Sequence, residues 1–411
     1  MSLIELLKKD VVINWIDVNQ LIINNPDIVK ESSDDTQIIL LFYALDKNVP
    51  FDTLKLLLDI WPESISIQQK AYGGMLACHR AVEKNVSLDV CRYIFEQYPE
   101  GLKQKNSSGY TPLMLSIYNN ASIDIINLII DSYPESVQTK NSQGSTSLHL
   151  ALINNCSIEI INILVDSFPG ACQVKNYDKC IPLHIVQYKT INVDIVKKLL
   201  NANSLACYEK DGYGRIALHI AVEQNASLDI IKLLIDSCPD SPKSKTNHGL
   251  LPLHVAIEKG VRSDIVQLLF ERFREGIKQK NNGGKIPVQC AKVNINKEAI
   301  AFLVAADLPL EDNHSYSFTL ALETYKSNTS LSLFIVKSIF ELFHSEEPEK
   351  CQRLAYSKDS LKRTAISIVH EDVRKLMNSY ILFLSRFELK EGAPGNIYYF
   401  IITIIITIII N

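Results

Sequence analysis

The chain has little excess charge of either sign: 42 Lys and Arg stand against 46 Asp and Glu, a formal net charge of -4 over 411 residues. So balanced a composition argues against a nucleic-acid partner, and with 47% apolar residues the chain is not of the disordered type. The nine cysteines are odd in number and contain no Cys-x-x-Cys pair, which fits a reducing compartment better than a disulfide framework. The segment Met1 to Asp10 places charges where a signal peptide needs an apolar run, so a cytoplasmic location is expected. Neither His-Glu-x-x-His nor Gly-x-Ser-x-Gly occurs. No catalytic residue, cofactor or metal is therefore expected, and the chain is read as a non-enzyme.

What is present is a period. The stretch Gly249 to Ala256 (Gly-Leu-Leu-Pro-Leu-His-Val-Ala) returns at intervals of 35 residues as Gly214–Ala221, Lys179–Val186, Gly144–Ala151 and Gly109–Ser116, and forward as Gly284–Ala291. Gly74–Ala81 keeps the same register. Such self-similarity decides the architecture before any single residue does.

Each unit reads as two helices. In residues 109–134, Thr111-Pro112 starts the first, since the fixed φ of proline suits a first helical turn. Leu113 and Ser116 share a face, and Asn119-Asn120 stops it. Ser122 is placed to cap the second helix, with Asp124 in the first turn, where the helix dipole favours an acid. Ile126, Ile129, Ile130 and Tyr133 supply an apolar stripe, and Pro134 closes the helix. Caps are expected likewise at Ser87, Ser157, Asn192 and Ser227, and stops at Pro62, Pro99, Pro169 and Pro239. Ser204 and Arg274 replace that proline, so those two helices are expected to run on or end less sharply.

The pattern Gly-x-Thr-Pro-Leu-His-x-Ala followed by two helices resembles the ankyrin repeat, here in a 35-residue variant of about ten units. The resemblance implies an all-α solenoid of stacked helix-turn-helix units with β-turn tips, whose first helices line a concave face that binds protein. At about 10 Å per helix pair, ten units would span roughly 100 Å. The expected organisation is a helical cap over residues 1–36, a solenoid over 37–391 that is regular from 70 to 295, and a Gly/Pro break with an apolar tail over 392–411. Degenerate units are expected around Leu40 to Pro62, Thr319 to Ala321 and Lys362 to Val369.

Several patterns invite chemistry. His79, His149, His184, His219 and His254 recur at multiples of 35, but ligands about 10 Å apart cannot share a zinc ion that holds nitrogen at about 2 Å. The resemblance implies instead that each imidazole bonds a neighbouring turn, with one such bond lost at Met114 and one at Gln289. Cys78-His79 lacks an orienting partner for a nucleophile, and Gly283-Gly284-Lys285 is not followed by Ser or Thr as a phosphate loop requires. The sequons starting at Asn85, Asn120, Asn155 and Asn225 read as turn plus cap. Lysines at 70, 105, 140, 175, 210, 245, 280 and 358 form a row, expected to be offset by an acidic row at Asp59, Glu96, Asp131, Asp166, Asp236 and Glu271.

Carried over unit by unit, the family's variable contact positions fall on Tyr72, Tyr110, Tyr118, Ile153, Tyr177, Tyr188, Tyr213, Arg215, His248 and Leu250, with Ser145 and Glu83 among the rest. Tyr and Arg carry interface energy more often than other residues. The resemblance thus implies a monomeric scaffold for an unidentified protein partner. The alternative is a tail-anchored membrane adaptor that recruits partners to a membrane surface through the uncharged run Ile397 to Ile410: 14 residues of helix reach about 21 Å, short of a hydrocarbon core of about 30 Å, so an anchor would need thinning or partial insertion, and the low-complexity Ile-Thr run reads rather as a disordered tail or an artefact.

Overall fold

The computed structural model describes residues 3–4, 13–32, 38–186, 191–291, 296, 299–300 and 302–303. The units expected at 319–321 and 362–369, Tyr188, and the tail 392–411 lie outside them. The chain divides into two compact units, residues 1–241 and 242–411.

Unit 1 is a two-layer stack. Its first helices are α2 (Leu40–Asp46), α4 (Ala77–Glu83), α6 (Pro112–Tyr118), α8 (Ser147–Ile153), α10 (Pro182–Ile185) and α12 (Ala217–Glu223). Its second helices are α1 (Trp15–Asn24), α3 (Phe51–Ile60), α5 (Leu88–Gln97), α7 (Ile123–Ser132), α9 (Ile158–Ser167), α11 (Val193–Ala202) and α13 (Leu228–Ser237). Each first helix packs on the next first helix, and each second helix on the next second helix. No strand forms among the described residues, where bridges are confined to single pairs such as Gln69–Met75. The architecture is the all-α repeat solenoid.

The residues of one unit explain its geometry. At the tip, the Asn106 side-chain oxygen accepts from the backbone N–H groups of Ser108 and Tyr110 at 3.1 and 2.9 Å, while its own N–H donates to the Tyr110 carbonyl. The same side-chain turn recurs at Asn141, Asn176, Asp211, Thr246 and Asn281. Gly109 closes the turn at φ +80, and a Cβ there would stand 2.5 Å from the Ser142 backbone nitrogen. Positive φ and close backbone approach together require glycine. Thr111 then caps α6 and Pro112 opens it. Every residue of α6 from Pro112 to Ile117 is buried, beyond the one-faced pattern read from the sequence, because the helix is covered on nearly all sides.

The inter-helix turn depends on asparagine. Asn48, Asn85, Asn120, Asn155 and Asn225 all adopt φ between 50 and 54°, and Gly260 takes that register in unit 2. Asparagine tolerates this left-handed region better than other side chains. The expected capping residues sit at the N-cap in each case; Ser122, Asn192 and Ser227 make the side-chain bond, whereas Ser87 and Ser157 do not. The second helix buries Ile125, Ile126, Ile129 and Ile130 of α7, with Tyr133 half-buried at its C-cap. Burial of each such side chain contributes about 1.5–3 kcal/mol.

The prolines do more than stop helices. Pro62, Pro99, Pro134 and Pro169 each open a 3₁₀ turn of five residues that leads toward the next tip. The helices expected to run on do not: α11 and α15 (Ser263–Arg272) span ten residues like their proline-bearing counterparts. Phe273 leaves helical geometry at φ -149, ψ 79, as Tyr133 does, and a 3₁₀ turn over Arg274–Lys278 forms without proline. At the other site the Asn203 side chain accepts from the Leu205 N–H at 3.3 Å and so makes the turn itself. The deciding feature is a column of small buried residues missed in the sequence: Ser64, Gly101, Ser136, Ala171, Ala206, Ser241 and Gly276. A Cβ on Gly101 would meet the Tyr98 ring at 2.9 Å, so the aromatic at the helix end packs directly on this column.

Two thiols depart from expectation. Cys207 and Cys238, both buried, form a disulfide with a Cα–Cα distance of 6.2 Å, one pair beside the free Cys78, Cys91, Cys156, Cys172, Cys180 and Cys290 and not a framework.

Unit 2 repeats the plan in its described part, with α14 (Pro252–Lys259), α15 and the Arg274–Lys278 turn. At the next first-helix register a 3₁₀ turn, Pro287–Cys290, stands in place of a helix.

Candidate protein-binding face

The recurring histidines are the first chemical candidates, and their geometry is structural. Nδ1 of His79, His149, His184, His219 and His254 accepts the backbone N–H three residues upstream at 3.2–3.3 Å. Nε2 therefore carries the proton. It donates to a carbonyl of the following tip segment: Tyr110 for His79, Cys180 for His149, Glu209 for His184 and Lys285 for His254, at 2.9–3.2 Å. Burial pushes the His79 and His149 imidazoles down to about 4 and lowers those of His184 and His254. A neutral imidazole is thus the state that stacks. Met114 is buried and cannot make these bonds, whereas Gln289 recovers one, its Oε1 accepting from the Ile286 N–H at 3.1 Å.

Cys78 Sγ lies 3.8 Å from His79 Nδ1, yet burial pushes the thiol up to about 12. Such a sulfur is no nucleophile at neutral pH. Among the described residues no three His, Cys, Asp or Glu side chains converge on a common point that could hold a metal ion, and no helix is long and apolar enough to cross a membrane.

At the contact registers of unit 1 several large apolar side chains are left on the surface. Tyr118 and Ile153, one register apart at the ends of α6 and α8, are 58% and 46% exposed, and the tip residues Tyr177 and Tyr213 are 77% and 64% exposed. Tip and helix end meet across a separation of eight residues: the Tyr110 and Tyr118 rings lie 6.2 Å apart, and Arg215 reaches Glu223 at 3.1 Å. Arg215 also binds the buried Asp211 carboxylate at 2.8 Å and stands 5.1 Å over the Tyr213 ring, which fixes both side chains. Tyr177 is anchored through its backbone N–H to the Gln143 carbonyl at 3.1 Å, with its ring over Gly144.

Other expected contact residues are used by the stack. The Tyr72 hydroxyl donates to Asp46 at 3.0 Å, its ring lies 4.0 Å under Arg80, and burial together with the Asp46 carboxylate pushes its pKa up to about 12. Arg80 further pairs with Asp46 and Glu83. Ser145 is buried in its tip, where its N–H donates to Asn141. In unit 2, His248 is exposed and Leu250 half-buried. The His248 carbonyl accepts from Asn282 at 3.1 Å.

The described lysines of the row, 70 to 280, are exposed, but the expected acidic row does not offset Lys175. Lys175 binds Glu209 of the next tip segment at 2.7 Å, while Asp166 binds Lys198 of the next second helix at 2.6 Å. Lys175 and Asp166 are thus each served by the neighbouring repeat.

The ankyrin-repeat family description, in three copies, matches residues 78–178 and 218–313. Among solved structures, the ankyrin repeat domain of Bcl-3, a member of the IkappaB protein family, is 23% identical; the match covers 54% of this chain and 96% of that one, with a TM-score of 0.46. No curated protein matches the chain.

Proposed function

The chain is an ankyrin-repeat protein, and we propose that it is a non-enzymatic scaffold that holds a partner protein against the Tyr110–Tyr213 face of unit 1. Ankyrin repeats are generally protein–protein interaction modules. The observation that carries the reading is the exposure of Tyr118, Ile153, Tyr177 and Tyr213 at tip and helix-end registers, among first helices otherwise buried to their last residue. Each ring is held in place by neighbours, so little side-chain entropy is lost on binding, and rigid aromatic anchors of this kind dominate interface energetics. Tyr72 stays within its ion-pair cluster and contributes to the stack.

Affinity capture with the full chain and with a Tyr118→Ala, Tyr213→Ala double variant tests the location. The expected result is loss of a partner retained by the unaltered chain, with an unchanged melting temperature. Equal recovery of every partner by both proteins would refute this face.

A further inference from the structure

The Cys207–Cys238 bond joins two registers that carry different chemistry elsewhere in the stack. Cys207 belongs to the 3₁₀ turn Ala206–Tyr208 that leads toward the Asp211 to Arg215 tip, and Cys238 is the C-cap of α13, 31 residues on. At earlier joints the same pair of registers holds Leu102 with Tyr133, Val137 with Phe168 and Cys172 with Asn203. The Asn203 side chain donates to the Cys172 carbonyl at 3.4 Å, so these registers meet without a covalent bond. The thiol pair is therefore an addition to a joint that the fold closes by other means. It stands among six free cysteines, the pattern of a redox-responsive pair and not of a disulfide scaffold. The reduced joint is also provided for. The Cys207 sulfur lies 3.5 Å from the Ser204 carbonyl and 3.8 Å from the Ser237 carbonyl, so a thiol formed there has acceptors within reach. The covalent loop encloses one edge of the tyrosine face. Asp211, Arg215 and Glu223, whose contacts fix the Tyr213 side chain, lie between the two cysteines, whereas Tyr110, Tyr118 and Ile153 lie outside.

We propose that Cys207 and Cys238 form a reversible thiol–disulfide site whose state sets how firmly the Tyr213 edge is held. The reductant is a dithiol. One of its thiolates attacks a disulfide sulfur, and its second displaces the protein sulfur from the resulting mixed disulfide. Two electrons and two protons pass to Cys207 and Cys238, which become thiols, while the dithiol closes to its own disulfide. Cys207 and Cys238 are 2% and 0% exposed, so attack follows local opening of the segment. Reduction removes the loop constraint on the open form and so raises its population. The redox site stands on the joint alone. Its bearing on a docked partner rests on the tyrosine face being the docking surface, and the test uses no partner.

Alkylation of the full chain in denaturant without reductant is expected to leave Cys207 and Cys238 unlabelled and their peptides linked. Hydrogen exchange read by mass spectrometry, with and without dithiothreitol, then measures the effect of the bond. Dithiothreitol is expected to speed exchange within residues 207–238 about tenfold or more and to change residues 106–156 by less than about twofold. Reoxidation with a low-molecular-weight disulfide is expected to restore the slow rates. Cys207→Ser and Cys238→Ser are each expected to exchange like the reduced chain and to ignore dithiothreitol, while Cys172→Ser keeps the response. Labelling of Cys207 and Cys238 without reductant overturns the proposal. So does exchange in 207–238 that reduction leaves unchanged, an equal rise in 106–156, or a response to dithiothreitol in Cys207→Ser. None of these outcomes bears on the capture experiment with the Tyr118→Ala, Tyr213→Ala variant, which decides the tyrosine face by itself.

Discussion

Residues 1–241 and 242–291 are built on one period, yet their surfaces differ in kind. The first segment has 20 basic against 28 acidic residues and exposes Tyr118, Ile153, Tyr177 and Tyr213; the second has nine against four and exposes no large apolar side chain among its described residues. Their interiors hardly differ: Leu113, Leu148, Leu183, Leu218 and Leu253 are all buried at one register. The stack therefore constrains what faces inward and the tip geometry, while leaving the outward registers free to diverge. The units also differ in their joints. Unit 1 stacks through His79, His149, His184 and His219, whereas the described part of unit 2 has His254 and the substitute Gln289.

The largest effect that would sharpen this contrast is acid sensitivity. The folded-state pKa of His79 and His149 is near 4, below the ordinary 6.5, so the unfolded chain binds more protons between these values. Stability is complete above pH 6.5 and is lost as pH falls toward 4, on the order of 3 kcal/mol for each of the two. Hydrogen exchange along a pH series should show amide protection failing in unit 1 before unit 2. Failure in unit 2 first would break the comparison. At neutral pH, His149→Ala removes bonds to Thr146 and Cys180 and should cost about 2–4 kcal/mol in denaturant unfolding, against about 1 kcal/mol for Gln289→Ala. Cys238→Ser should cost about 2–4 kcal/mol in the absence of reductant and little in its presence. Smallest is Glu209→Gln: its pair with Lys175 is exposed on both sides, so the thermal midpoint should move by no more than about 0.5 kcal/mol equivalent.

Much of this was legible in the sequence because a fixed interval multiplies every local signal. The caps at Ser122, Asn192 and Ser227 and the asparagine turns follow from residues that recur in register, and the histidine role from what the resemblance implies. What escaped is what depends on close approach between units. Gly101, Ser136 and Ala171 share only smallness, and the aromatic rings packed over that column became evident with the backbone in place. The partners of Lys175 and Asp166 depend on where neighbouring repeats put Glu209 and Lys198, which a one-dimensional register does not order in depth. Tyr110, Tyr118, Tyr177 and Tyr213 were picked out together with Tyr72. Side-chain chemistry distinguishes them, for Asp46 and Arg80 engage the Tyr72 ring, and their distance in sequence from it hid that role.

The Cys207–Cys238 bond also sets how the chain answers to pulling. It ties residues 31 apart and so encloses α12 and α13 within one covalent loop. Tension applied between the termini bypasses that loop, and about 100 Å of contour that the other repeats would release stays hidden until the bond is reduced. A chain stretched in single-molecule force spectroscopy should lengthen by that amount, in one added step, on exposure to a thiol reductant.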